Sequence, residues 1–573
     1  MNRMYRRSNH RRIRPVKRRG AILVLSVFLL IVMLGFVALS VDVGYINNVR
    51  TEMDRAVDAC ALAGAGALPN GIAAAEAEAI DFAQLNPVAN SPLAASELQF
   101  EPGHWDSASQ QFLPANDLPS AFRVSAQRVG QRPLFFANVF GRDEFNVQSS
   151  AIAAYQPRDI MVVLDYSASM NDDSEFRGMP VLGRNYIESN LATIYGELGS
   201  PVYGSLKLAP QWMKVLGAAP TNSYRPQLAV EYRYDSVYVT STKPLYETRV
   251  YNGSSYQTSS NVGVWNAGKG VYELTMTYNG TSQITKVWVS SGYNSSSTAN
   301  SNRYSEYVYF DSTSTIRNHA LNSFGLNGAS YPYPGGSWSG YVDYCISSSS
   351  YNASVGYRYR FGYMNLINYW LEQYPSYSDV PDLWKVSEQP ITAVKNSVDV
   401  FLSFMQEMNT SDKVGLAVYN SSTGYGKLEQ GLTLNYDVVG TISRHRQAGH
   451  YHSMTNIAAG IQTARTQLAQ NARPGSLKLI VLMTDGVANY PNNSSYATDA
   501  ALQEAQACAN AGYPIITVSL GSGADTSIMQ QIATMTGGLH FNVPGGQSVA
   551  EYEQDLKETF QRIAEERPLR LVE

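Results

Sequence analysis

The chain has 573 residues, too many for one hydrophobic core, so several domains are expected. With only 16% charged residues and a net charge of −4 it lacks the basic stripe of a nucleic-acid binder, and no nucleic-acid partner is expected. Three cysteines, Cys60, Cys345 and Cys508, are too few and too scattered for a disulfide framework or a zinc site, and they read as small buried apolar residues.

Residues 1–19 form a basic tail with nine Arg and Lys from Arg3 to Arg19 and no acid. The tail runs into AILVLSVFLLIVMLGFVALSV, an uncharged stretch placed in a segment at 20–41. As a helix it would be about 31 Å long, enough to cross a hydrocarbon core of about 30 Å. Its length fits a retained anchor better than a cleaved signal peptide. Arginines before the span and mixed charge after it hold the N-terminus in the cytoplasm. A single-pass protein of the inner (cytoplasmic) membrane follows, with the bulk of the chain periplasmic or extracellular. Past the span, Tyr45, Val49, Met53, Ala56, Val57 and Cys60 keep a helical spacing. That segment is either a continuation of the membrane helix as a stalk or an amphipathic helix packed on its own domain, and the two are compatible. Gly71 to Leu85 reads as a further helix and Phe100 to Tyr155 as strands, so 42–157 is a stalk with a small α+β region.

RRGAILVLSVFLLIVMLGFVALSVDVGYINNVRTEMDRAVDACALAGAGAL resembles the N-terminal region of TadG-like (TadE/TadG-type) proteins of Flp or Tad pilus assembly. The likeness covers about residues 17–70 and extends loosely to about 155. Related pilin-like proteins are cut after a Gly with a Glu five residues on. Here Leu25 stands at that place after Gly20, and such processing is not expected.

IMVVLDYSASM delivers Asp165, Ser167 and Ser169 to the end of an apolar strand. A long way on, YHSMTNIAAGI puts Thr455 at a loop-to-helix start, and LKLIVLMTDG ends a second apolar strand in Asp485. Strands and helices alternate around them: DKVGLAVY, a helix from Asn456 to Gln470, LKLIVLM, a helix from Asp499 to Ala511, YPIITVSL, GGLHFNV and a helix from about Val549 to Glu565. This order predicts an α/β fold with a doubly wound, mainly parallel sheet, whose ligands bind outside the carboxyl ends of the strands. Taken singly, each loop reads as a helix cap, Thr455 included.

Together the three loops resemble the von Willebrand factor A (VWA) domain and its metal-ion-dependent adhesion site. The resemblance implies D-x-S-x-S ligands at Asp165, Ser167 and Ser169, a threonine ligand at Thr455 and a carboxylate at Asp485. Met170 also fits the pattern, whereas Ser453-Met454 replaces a Gly pair often found before the threonine. The set is oxygen-only, which suits a hard divalent cation and argues against zinc or copper. Mg²⁺ is the first choice, with Mn²⁺ or Ca²⁺ as alternatives. The family is understood to bind a partner's Asp or Glu carboxylate through the metal, which implies a protein partner, with pilus or envelope components as candidates.

About 290 positions separate Asp165 from Thr455, more than one helix and two strands need. The VWA domain is therefore expected in two pieces, 158–172 and 381–566, with a helix from about Pro381 to Met408. The interval 173–380 reads as a large, mostly-β insertion with long loops, marked by LAVEYRY, EYVYF and a hairpin signal at Asn279-Gly280. His445, His450 and His452 read as a polar loop. No nucleophile elbow, phosphate loop or catalytic carboxylate pair is present, and no enzyme is expected.

Overall fold

The apolar run folds as the front of one 49-residue helix, α1 (Arg19–Ala67). The computed structural model describes residues 19–572 except 107–108, 117–118, 132–133, 135, 138–140, 142–143, 156, 223–224, 280–281, 292–303, 408–411, 421–425, 452, 475, 522, 545–548 and 566–568. The basic tail through residue 18, Gly280 and His452 thus lie outside the described residues. The chain divides into two units: 1–156 with 407–410 and 567–573, and 157–406 with 411–566.

In the first unit the front of α1 is exposed and apolar, long enough to cross a membrane. Its rear is amphipathic and buries Val49, Met53, Ala56, Val57, Cys60 and Ala61. Both readings of this segment are thus realised by one continuous helix. The helix α2 (Ile72–Leu85) adds Ala75, Ala79 and Ala83 to the same core. Small residues let the elements approach closely: a side chain at Gly64 would sit 2.4 Å from the Phe122 ring. The helices cover an antiparallel sheet made from β1 (Leu98–Asp106), β2 (Gln111–Pro114), β3 (Ala121–Gln131) and β4 (Phe145–Tyr155), in the order β2-β1-β3-β4, closed by a C-terminal strand, Leu569–Leu571.

The second unit begins with β5 (Arg158–Asp165), in which all eight residues are buried. Between β5 and the rest of its sheet lies the interval 173–380. Its strands are β6 (Gln211–Trp212), β7 (Lys214–Leu216), β8 (Leu228–Tyr232), β9 (Ser236–Ser241), β10 (Leu245–Asn252), β11 (Ser255–Ser259), β12 (Val264–Asn266), β13 (Val271–Thr277), β14 (Lys286–Ser291), β15 (Tyr304–Tyr309) and β16 (Arg360–Phe361). Its helices are α3 (Met179–Leu182), α4 (Arg184–Glu197), α5 (Thr313–Ser323), α6 (Trp338–Ile346), α7 (Tyr351–Ser354) and α8 (Tyr363–Gln373). None of these helices was read from the sequence. In α8 the buried face carries Tyr363, Asn365, Asn368 and Tyr369 beside Leu366, Ile367 and Trp370.

The two antiparallel sheets, β12-β13-β9-β8-β7 and β11-β10-β14-β15, share one core through Val230, Val239, Val250, Val287 and Val289. The hairpin expected at Asn279-Gly280 lies partly outside the described residues, and the described strands on either side of it do not pair with each other. β13 pairs with β9 and β12, whereas β14 pairs with β10 and β15, so the connection crosses from one sheet to the other. Backbone bonds from Tyr278 to Asp235 (2.8 Å) and from Ile284 to Tyr234 (2.7 Å) tie the crossing segment to the β8–β9 turn.

The insertion leaves and returns side by side: Asp173 N donates to Gln389 O at 3.2 Å, and Gln389 N donates to Ser174 Oγ. The following helix, α9 (Ile391–Glu407), starts after Pro390, ten residues later than the sequence suggests, since residues 381–390 serve this return. Then come β17 (Lys413–Tyr419), β18 (Lys427–Thr433), α10 (Tyr436–Arg444), α11 (Ile457–Asn471), β19 (Leu477–Thr484), α12 (Ser494–Ala511), β20 (Ile515–Leu520), α13 (Thr526–Thr536), β21 (His540–Val543) and α14 (Val549–Glu565). The sheet order is β18-β17-β5-β19-β20-β21, parallel except for β18. Alternation along β5 sends Ile160, Val162 and Leu164 to a core with α9 and α14, and Met161 and Val163 to a core with α11 and α13. Gly460 allows the α11 contact, since a Cβ there would lie 2.6 Å from Tyr419 Cδ1 and 2.8 Å from Val163 Cγ1.

Candidate metal centre

Parallel pairing aligns the ends of β5 and β19, with Leu164 level with Val418 and Leu482 level with Val163. The next residues out of those strands are polar and face one another. Ser167 N donates to Asp165 Oδ1 at 2.9 Å, and Thr484 Oγ1 donates to Asp165 Oδ2 at 2.8 Å. Ser167 Oγ lies 3.0 Å from Ser169 Oγ, which in turn lies 2.7 Å from Asp485 Oδ1. Thr455 comes from the loop before α11. Its backbone is fixed by Asn489, whose Oδ1 accepts from Thr455 N at 2.8 Å and whose N donates to Thr455 O at 3.0 Å. Asp165, Ser167, Thr455 and Asp485 are buried, and Ser169 is half-buried.

The hydroxyls are not spent on capping. Ser167 precedes a short 3₁₀ turn and makes no side-chain cap bond. For α11 the cap is Asn456, whose Oδ1 accepts from Ala459 N at 3.1 Å. Capping by Thr455, one of the readings the sequence allowed, is thereby corrected. Gly486 keeps the space between the loops open: a Cβ there would lie 3.5 Å from Ser169 Oγ and 3.8 Å from Thr455 Oγ1. Hydrogen bonds thus link Asp165, Ser167, Ser169 and Asp485 in one chain, and Thr455 Oγ1 and Ser169 Oγ both face the small cradle beside Gly486.

The electrostatics fit a cation. Burial pushes the Asp165 carboxyl up to about 6, against the pull of bonds from Ser167 and Thr484. Asp485 is pushed up by burial first, then by Asp165, with smaller contributions from Asp172 and Asp173. The repulsion between these two buried carboxylates is relieved by a proton or by a cation between them. Among the described residues no group of three or more His, Cys, Asp and Glu is placed to hold a metal, so a metal in this cradle would depend on the hydroxyls. Beside the cradle opens a cavity of about 300 Å³, walled by Ser169, Asp172, Asp173, Arg177, Pro390 and Leu520. Arg177 pairs with Asp172 at 3.0 Å.

Sequence reading missed Thr484, Gly486, Asn456 and Asn489. The first two flank Asp485 in MTDG and could have been taken from that motif, but nothing local marks Asn489. His445 stacks on Trp384 with centroids 4.1 Å apart, and burial lowers His450 to about 4, as suits a packed polar loop.

A doubly wound sheet with these loops at its carboxyl edge is the architecture of a von Willebrand factor type A domain, contained within the second unit. Family models agree: the von Willebrand factor type A domain matches residues 384–555, Flp pilus-assembly TadE/G-like matches 20–67, and Tad-like Flp pilus-assembly matches 63–153. In chain order these matches are those of a TadG-like Flp pilus-assembly protein with a VWA domain. No curated protein matches. Among solved structures the chain is similar to a von Willebrand factor type A protein from Catenulispora acidiphila, at 12% identity over 30% of this chain and 37% of that one, with a TM-score of 0.24. It thus spans little more than a third of that chain. It is also similar to BatB from Bacteroides thetaiotaomicron, at 15% identity over 30% and 90% of the two chains and a TM-score of 0.23. A third is proximal thread matrix protein 1 from the mussel byssus with a zinc occupied MIDAS motif, at 18% identity over 30% and 43% and a TM-score of 0.22. VWA domains often bind a divalent metal, and Tad and VWA families are generally adhesion or assembly proteins rather than enzymes.

Proposed function

We propose that this chain is a membrane-anchored, exported adhesion or pilus-assembly protein that captures a partner's Asp or Glu carboxylate through a divalent cation at the VWA domain. The observation that supports it is the cradle at Gly486, faced by the hydroxyls of Ser169 and Thr455 and adjoining two buried carboxylates. Asp165, Ser167, Ser169, Thr455 and Asp485 would hold the ion, with Mg²⁺ preferred because the donors are all oxygens. When bound, the cation supplies a coordination position for an acidic group. The chain's own part is to keep the three loops in register through Thr484 and Asn489, so that the hydroxyls face the cradle.

The layout we infer is a cytoplasmic tail 1–19, a span 20–41, a stalk with a small α+β region 42–157, the VWA domain 158–172 and 381–566, and the insertion 173–380. The span would sit in the inner membrane with the N-terminus in the cytoplasm, and protease protection in spheroplasts tests that orientation.

For the metal, Mn²⁺ titration of the full chain in nanodiscs followed by electron paramagnetic resonance should show one bound ion. Asp165→Ala should lose it and keep the wild-type far-ultraviolet circular dichroism. Envelope proteins retained on the wild-type chain with Mg²⁺ should be released by EDTA. The deep burial of Asp165 supports a second reading, an envelope scaffold whose metal is structural. That reading holds if EDTA lowers the melting temperature but releases no partner, and Mn²⁺ binding equal in wild type and Asp165→Ala overturns both.

A further inference from the structure

The β11-β10-β14-β15 sheet has one face in the insertion core and one face outward, and the two faces differ in kind. Inward, Val250 stands opposite Val287 and Val287 opposite Val308. Outward, one cross-strand row reads Tyr256, Tyr251, Lys286, Tyr309 and the next reads Arg249, Trp288, Tyr307. Tyr256, Tyr307 and Tyr309 are 53%, 44% and 45% exposed. Neighbouring rings lie 5.1 Å (Tyr251–Tyr256), 6.3 Å (Trp288–Tyr307) and 6.0 Å (Tyr307–Tyr309) apart, which makes a continuous aromatic floor.

Two cations are set into that floor. Arg249 lies over Trp288 and Tyr256, and its charge is paired with Glu247 at 2.6 Å. Lys286 Nζ sits 4.3 Å from the Tyr251 ring, 5.2 Å from Tyr307 and 5.9 Å from Tyr309. Among the described residues no carboxylate bonds to Lys286. A chain of net charge −4 therefore presents a face with one excess positive charge, fixed among tyrosines.

We propose that this face binds an acidic polysaccharide of low charge density, with exposed tyrosines lying against sugar rings and Lys286 pairing with a carboxylate. Aromatic faces suit the apolar faces of pyranose rings, and phenol hydroxyls at their edges can bond to sugar hydroxyls. Rings repeated across three neighbouring strands fit a repeating polymer. Nucleic acid fits less well, because a phosphate at every nucleotide calls for a track of cations, and this face has a single unpaired one.

The test is affinity electrophoresis of the full chain in nanodiscs through gels holding polygalacturonate, neutral dextran or oligo-dT. Polygalacturonate should retard the wild type, and the retardation should weaken with salt and persist in EDTA. Lys286→Glu and the Tyr307→Ala/Tyr309→Ala double variant should each weaken it by at least about tenfold, while Tyr307→Phe retains binding. EDTA insensitivity keeps this outcome separate from the metal reading. No retardation by polygalacturonate, equal retardation of Lys286→Glu and wild type, or retardation by dextran or oligo-dT as strong as by polygalacturonate overturns the proposal.

Discussion

Strands β5 and β14 belong to the same unit and use the sheet in opposite ways. β5 is aliphatic, covered by helices on both faces, and offers chemistry only at its end, where Asp165 emerges. β14 alternates, burying Val287 and Val289 while Lys286 and Trp288 stay part-exposed, and so offers chemistry along its length. A sheet covered on both faces gives a stiff platform for a few placed groups. A sheet covered on one face gives an area. In this molecule the first kind positions the three oxygen-bearing loops and the second spreads tyrosines over a surface.

The platform can be broken at its base. Arg158 is fully buried, with Nε 3.0 Å from Asp412 Oδ2 and its two terminal nitrogens donating to Ile563 O and Ala564 O at 3.1 and 3.2 Å. Arg158→Ala leaves Asp412 buried without its partner and should cost about 3–5 kcal/mol by urea unfolding. A loss below about 1 kcal/mol would show that the platform tolerates an uncompensated charge.

A smaller effect is expected from overpacking. Gly460→Ala drives a methyl into Tyr419 and Val163 and should cost about 1–3 kcal/mol. Because Tyr419 pairs with Asp165 at the end of β5, the variant should also weaken Mn²⁺ binding. Wild-type affinity and stability together would mean that α11 shifts freely.

The next effect depends on pH. Glu388 and Lys395 are buried at the return of the insertion, and burial pushes the Glu388 carboxyl up to about 8 and lowers the Lys395 ammonium to about 8. A raised carboxyl pKa means that the folded state holds its proton more tightly. The stability from Glu388 is therefore complete below about 4.5, its ordinary value, and is lost as pH rises through about 8. Lys395 acts in the opposite sense, its contribution complete above about 10.5 and lost as pH falls through about 8. Between pH 5 and 7.5 the carboxyl dominates, so wild type should lose about 1–3 kcal/mol relative to Glu388→Gln over that range. A gain, or no change, would place the proton elsewhere.

The least effect belongs to the open face. Lys286→Glu, expected to lose polysaccharide binding, should change unfolding free energy by less than about 0.5 kcal/mol, because its removal opens no cavity. A larger loss would make the aromatic floor a structural ladder.

The three loops of the candidate site were legible because their residue types are rare in combination: DYSASM, Thr455 before NIAAGI and TDG all stand beside apolar strands or helices of the right length. The family match over 384–555 starts after the insertion, whereas β5 lies more than 200 residues earlier. Only pairing with β17 and β19 puts Asp165 at the centre of the sheet. Helix α8 escaped notice because its buried face is aromatic and amide-bearing, whereas α4 and α5 bury an ordinary aliphatic face of Ile187, Leu191 and Ile194 or Ile316 and Leu321 that the sequence reading passed over.

By itself the sequence determined the apolar run, the order of the α/β elements and the three oxygen-bearing loops at their ends, since each depends on local residue type and spacing. Tertiary structure alone decided that Asn456 rather than Thr455 caps α11, that the strands before and after Asn279 pair in different sheets, and that the tyrosines of β10, β11 and β15 share one outward face. Those outcomes depend on which distant strand supplies the hydrogen-bond partner, and strand pairing across long loops is invisible to local pattern.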